Sequence, residues 1–273
     1  MKKKIISLCL VLALALTAIG GATLAYFTDT DSAENTFVVG NVKIVQNEKD
    51  RNNNDFKQNQ NIKPAVLDKL KKEQVTVGGY TFNIRSTDGN YVDKIVSVTN
   101  KGTEKAYMRT IIAVPSMNGY DDATDATENP LHWNYLDATD FEGTGWDWNG
   151  NKDATADPTT DKVSNVTING VVYDLYIATH NEAVAPGATT APSMVGFYLD
   201  DDVNCDENGY FSMQNGKRID LSSWMKPDAE TGKVTMKILV ATQACQIEGF
   251  TDAWEALDTC FGDITATNHP WAK

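Results

Sequence analysis

Asn169-Gly170 stands between two runs, 163–168 and 171–179, that alternate apolar and polar residues. Asn and Gly both accept the left-handed backbone that the two central residues of a type I′ turn need, so this pair predicts a two-residue β-hairpin. In its second strand Tyr173, Leu175 and Ile177 share one face. The same period of two recurs along the chain. Ala106, Met108, Thr110, Ile112 and Val114 alternate with Tyr107, Arg109 and Ile111, and at 234–242 Val234, Met236, Ile238 and Val240 point inward while Thr235 and Lys237 point outward. A period of two places apolar side chains on one face of a strand but scatters them around a helix.

Further strands are expected at 36–45, with a bend at Gly40, and at 75–84, interrupted by Gly78-Gly79. Two more are expected at 92–99, before the turn Asn100-Lys101-Gly102-Thr103, and at 193–199, after the turn Ala185-Pro186-Gly187. Residues 46–61 are polar and read as a loop. Two helices are expected. One covers 64–72, with Pro64 in its first turn and Val66, Leu67 and Leu70 on one side. The other closes the chain, N-capped by Thr251, with Asp252 at the positive end of the dipole, Gly262 as its stop, and Trp254, Leu257 and Phe261 as its packing stripe. Many short strands with turn signals and one late helix predict an all-β fold, an antiparallel jelly-roll-like sandwich with short helices. With 41% hydrophobic and 9% aromatic residues, the chain can bury a core and is not wholly disordered. No repeat of solenoid period is visible, so residues 26–273 are expected to form one domain. Its elaborated loop, at about 116–162, is rich in Asp, Thr, Asn and Gly and carries Trp133, Tyr135, Phe141, Trp146 and Trp148. Trp146-Asp147-Trp148 either offers a platform for stacking on sugars or buries its rings and pins the loop to the sandwich.

Residues 1–25 have the layout of a secretory signal: Lys2, Lys3 and Lys4, an uncharged apolar run from Ile5 to Ile19, then small residues ending at Ala25. The run falls short of the roughly 20 residues that span a membrane. Cleavage is expected between Ala25 and Tyr26, by a signal peptidase, releasing the protein outside the cytoplasmic membrane. An oxidising location permits a disulfide among Cys205, Cys245 and Cys260, and an odd number leaves one thiol over; the spacing does not choose a pair.

A net charge of −13 excludes nucleic-acid binding by phosphate neutralisation. His132, His180 and His269 form no HExxH and no i, i+4 pair, so each reads as an ordinary surface or loop residue. No GxSxG, P-loop or GxGxxG occurs, and no catalytic residue or cofactor is expected. Asp202, Asn204 and Asp206 stand at alternate positions as in calcium loops. However, Glu207 replaces the glycine of the sixth position and Met213 the glutamate of the twelfth, so a solvated acidic turn competes with a calcium site.

The block Gly20-Gly21-Ala22-Thr23-Leu24-Ala25-Tyr26-Phe27-Thr28-Asp29-Thr30, followed by Thr36-Phe37-Val38-Val39-Gly40-Asn41-Val42, resembles the TasA/camelysin family of secreted proteins. Val96–Thr103 with Ala106-Tyr107-Met108-Arg109 is similar to that family's central hairpin, and Ala185–Thr190 to its later turn. Ala241–Gln246 with Gly249–Trp254 is similar to its last strand and closing helix. Residues 46–73 and 116–162 have no counterpart. The resemblance implies a jelly-roll subunit of an extracellular or cell-surface matrix fibre, in which the freed N-terminal segment (Tyr26, Phe27, Thr28, Asp29, Phe37 and Val39) adds as a strand to the next copy of the chain. Its implied partners are itself and other matrix proteins or polysaccharide. The camelysin name also carries a metallopeptidase label, for which this sequence has no zinc motif. The runner-up functions are a secreted carbohydrate-binding module and a metallopeptidase-like enzyme.

Overall fold

In a computed structural model the structure describes residues 28–32, 35–36, 42–58, 72–85, 91–116, 131–135, 144–148, 162–199, 203–214, 216–221 and 236–272. Among the described residues every strand pairing is antiparallel, and one helix lies near the C-terminus. The first main sheet runs β10 (Val163–Ile168), β11 (Val171–Val184), β7 (Ala106–Pro115), β16 (Leu239–Gln246), β1 (Thr28–Ser32), β2 (Asn35–Thr36), with β9 (Trp146–Trp148) also pairing β11. The second runs β3 (Ile44–Lys49), β6 (Tyr91–Asn100), β12 (Met194–Leu199), β8 (Leu131–Tyr135). Their facing sides make the central core, in which Ile44, Val96, Val98 and Met194 of the second sheet meet Met108, Ile112, Ala178, Val240 and Ala244 of the first. This is the expected all-β sandwich. The chain changes sheet between β6 and β7, β7 and β8, β8 and β9, and β11 and β12.

Both outer faces are covered. The hairpin β4 (Lys72–Val77) and β5 (Tyr80–Arg85) lays Val75, Val77, Phe82 and Ile84 over Tyr91, Ile95, Val195 and Tyr198 of the second sheet. Helix α1 (Ala253–Phe261) and the segment after it cover the first sheet, with Ile264 and Trp271 against the cluster of Ile111, Leu175 and Ile177. A small sheet of β13 (Val203–Asp206), β14 (Gly209–Gln214) and β15 (Lys217–Asp220) completes the described structure.

Local turn chemistry holds. Asn169 and Gly170 have φ 50° and 82°, closing the β10–β11 hairpin, and Gly187 turns the chain toward β12 with φ 77°. Tyr173, Leu175 and Ile177 share a face as expected.

Several expectations are corrected. The stretch 75–84 is two strands, because Gly78 and Gly79 (φ 62° and 86°) form the turn of the β4–β5 hairpin. Of the strand expected at 36–45, residues 37–41 lie outside the described residues; β3 begins at Ile44 and continues to Lys49, into the residues read as loop. Polarity masked it. Gln46 and Glu48 share the face of Ile44, where the Gln46 side-chain oxygen accepts from Thr242 Oγ1 at 2.8 Å and Glu48 accepts from Gln46 Nε2 at 3.0 Å and from the buried Lys94 ammonium. β6 and β7 are no hairpin, since they lie in different sheets. Fully buried Asn100 holds the crossing, donating through Nδ2 to the carbonyls of Glu104 and Val184, both at 2.8 Å, and accepting from the Gly102 N–H at 2.8 Å. The strand expected at 234–242 starts at Leu239 and runs to Gln246, although Met236, Ile238 and Val240 do turn toward the core. Of the helix expected at 64–72, residues 64–71 lie outside the described residues and Lys72 opens β4.

The N-cap of α1 is Asp252, not Thr251. Asp252 accepts from Glu255 N at 3.0 Å while Glu255 reaches back to the N–H and hydroxyl of Thr251, a reciprocal cap shifted by one residue. Gly262 ends the helix with φ 75°, its N–H donating to Asp258 O at 2.8 Å. The buried stripe is Ala253, Ala256 and Leu257, with Trp254 and Phe261 half-exposed at its margins. Small residues let the backbone approach the sheet, so the aromatics are displaced sideways. Leu257→Ala is therefore expected to destabilise the fold by about 2–5 kcal/mol, and Trp254→Ala by less. Urea unfolding midpoints of the two variants check the order.

Candidate functional site

β16 lies between β7 and β1. On one side its pairing with β7 runs from Leu239↔Ala113 to Gln246↔Ala106. On the other, β1 pairs along it from Thr28↔Cys245 to Ser32↔Ala241, with Asp29 opposite Ala244. Beyond β1, the two-residue β2 is the last strand on this side of the sheet among the described residues, and it pairs only with Asp31 and Ser32. Thr28 and Asp29, two of the residues expected to form an assembly strand, thus stand at the margin of the sheet. Residues 28–32 of the segment implied to be donated are docked on the chain's own sheet. Ala25, Tyr26, Phe27, Phe37 and Val39 lie outside the described residues, as does the whole signal segment.

The strand that receives β1 is held on its outward face by several ties. Arg109 of β7, almost fully buried, donates from Nε to Gln243 Oε1 at 2.7 Å, from Nη1 to Asp258 Oδ1 at 2.8 Å and from Nη2 to the Gly262 carbonyl at 2.7 Å. One guanidinium so joins β7, β16 and the C-terminal end of α1, where a cation complements the helix dipole. Burial lowers the Arg109 pKa from its ordinary value and the Asp258 carboxylate opposes this; burial likewise raises Asp258 against the pull of Arg109. Cys245, opposite Thr28 in the ladder, is bonded to Cys260 of α1, and among the described residues Cys205 is the free, exposed thiol. The sequence could not choose this pair, which depends on where α1 docks. Cross-linking residues 15 apart constrains the unfolded chain, so reduction is expected to lower stability by about 2–4 kcal/mol. Urea titrations with and without dithiothreitol measure it.

The remaining candidate residues lie elsewhere in the fold. Trp146 and Trp148 are fully buried, and Trp146 Nε1 donates to the Ala191 carbonyl at 2.7 Å. They are no sugar platform: their rings pin β9 to β11, because the ladder places both on the core side. Asn204 and Asp206 lie on β13, and Asp202 lies outside the described residues. The Asp206 carboxylate is engaged by Arg218 through two hydrogen bonds of 2.7 and 3.0 Å and by Asn208 N at 2.8 Å, and these lower its pKa. The histidines are not all loop residues. His132 stacks on Tyr198 within the second sheet, with ring centroids 4.9 Å apart. His180 on β11 meets the Trp146 ring edge-on, and its pKa is lowered by burial. Among the described residues no group of three or more His, Cys, Asp or Glu could hold a metal ion. No described helix is long and apolar enough to cross a membrane.

No curated protein and no solved structure matches this chain. A family model does match: residues 1–75 fit that of the camelysin metallo-endopeptidases. The matched part contains β1, β2 and β3, and with them the N-terminal block on which the resemblance rests. Over residues 1–75 the chain carries the pattern of the camelysin family; the likeness read at 20–42 holds there, and the match also takes in 46–73, which were expected to have no counterpart.

Proposed function

We propose that this protein is a secreted structural subunit that self-assembles into extracellular or cell-surface matrix fibres by donating its N-terminal strand to the next copy of the chain. One observation carries the reading: the N-terminal strand β1 lies at the margin of its sheet, joined by a backbone ladder to β16. A main-chain ladder is indifferent to which chain supplies the strand, so a second copy's 28–32 can take the same place in the same register. Its sequence, Thr-Asp-Thr-Asp-Ser, has no apolar residue to anchor it to its own core. A donated strand makes a head-to-tail contact that does not close, and such contacts propagate as filaments. An attached signal segment would block the tip, so cleavage after Ala25 acts as the assembly switch.

The family name carries a competing peptidase reading. His132, His180 and His269 stand on β8, on β11 and after α1, and none belongs to a metal-ligand group among the described residues. Electron microscopy and sedimentation of the chain beginning at Tyr26, beside one lacking 26–32, test the proposal. Chelator-sensitive proteolysis by either form would favour the peptidase instead.

A further inference from the structure

Away from the β1–β16 ladder, the β10–β11 turn and the segment after α1 enclose an open groove of about 490 Å³. That volume is within the range of small-molecule sites. Thr167, Asn169, Thr267, His269 and Trp271 line it, together with Ile168 and two alanines. In a chain with 37 acidic residues, no Asp, Glu, Lys or Arg among the described residues lines this groove. Hydrogen bonds behind the lining hold the segment after α1 in place. Asn268 Nδ2 donates to the carbonyls of Phe261 and Asp263 at 3.0 and 2.7 Å, and Ala272 N donates to the His269 carbonyl at 2.9 Å. Trp271 is half-exposed, one part of it packing on the first sheet's outer cluster. His269 Nδ1 is buried and without a hydrogen-bond partner, a group that in a native protein calls for explanation. Burial also lowers its pKa, which favours the neutral imidazole.

We infer that this groove binds a neutral carbohydrate, one or two hexose units of a polysaccharide. An indole offers an apolar face to the C–H face of a pyranose, while threonine hydroxyls, the Asn169 amide and the His269 imidazole can exchange hydrogen bonds with sugar hydroxyls. Uncharged walls suit an uncharged ligand, since a charged one would enter without a counter-ion. The site shares no residue with the β1–β16 ladder and goes beyond the fibre proposal; binding read on a non-assembling form is independent of fibre formation.

Isothermal titration of the chain lacking 26–32 with cellopentaose, maltopentaose and chitopentaose, beside polygalacturonate as the charged control, tests it. Binding of at least one neutral probe with Kd of about 1 mM or tighter is expected, with polygalacturonate weaker. Trp271→Ala should weaken it at least about tenfold, Trp271→Tyr should largely preserve it, and Thr267→Ala should weaken it without altering the unfolding midpoint. If Trp271→Ala does not fold, the Tyr and Thr267 variants decide. No binding of any neutral probe, preference for polygalacturonate, or binding unchanged in Thr267→Ala and in whichever Trp271 variants fold overturns the inference.

Discussion

Removing residues 26–32 from the chain that begins at Tyr26 is expected to abolish filaments while leaving a folded, soluble monomer. The deletion removes β1, and the buried residues described in the central core come from other strands, β3, β6, β7, β8, β9, β11, β12 and β16 among them. Among the described residues the loss within the monomer is a short backbone ladder, and each of its hydrogen bonds contributes about 0.5–1.5 kcal/mol net. Most of the unfolding free energy should therefore remain, and the urea midpoint should fall only modestly. For assembly the loss is complete, because the truncated chain presents an open β16 edge but has no strand to give. Mixing settles the direction of donation. Added to the longer form, truncated chains should cap growing ends and shorten fibres, because they can accept a strand and donate none. Fibres of the same width from the truncated chain alone would mean that assembly uses another surface.

Trp146→Ala is expected to cost more stability than Leu257→Ala or loss of the disulfide. The ring is fully buried in the central core, meets His180 edge-on at 5.1 Å, and donates to the Ala191 carbonyl. Truncating a buried Trp costs about 3–5 kcal/mol through lost transfer energy and the cavity left behind. The abandoned carbonyl adds about 1–3 kcal/mol unless water reaches it. Against a typical total of about 5–15 kcal/mol, that brings the chain close to unfolding at room temperature. Trp146→Phe separates the two terms, since it keeps most of the packing and loses only the donor. Urea unfolding of both variants provides the measurement, and a Trp146→Ala midpoint within error of the parent would show the ring exposed.

Much of the fold was legible because its signals are local. Asn169-Gly170, Gly187 and Gly262 mark turns and a helix end through backbone conformations that few other residues accept, and each does that work in the structure. The period of two in β7 and β11 is equally local, and it assigned Tyr173, Leu175 and Ile177 to one face. That the N-terminal segment forms a strand was legible through its likeness to a known family. Its place on β16 was not, because Thr28 and Cys245 become neighbours only when the two ends of the chain meet. The same holds for β3, whose Gln46 and Glu48 look like loop until Thr242 and Lys94 are brought opposite them. It holds too for the Cys245–Cys260 bond and for the buried faces of Trp146 and Trp148. Sequence by itself determined the turns, the strand periodicity and the sign of the charge, since these follow from neighbouring residues. Only tertiary structure decided sheet order, the partners of buried polar groups and which aromatics reach the surface, since burial and hydrogen bonding depend on distant segments packing together.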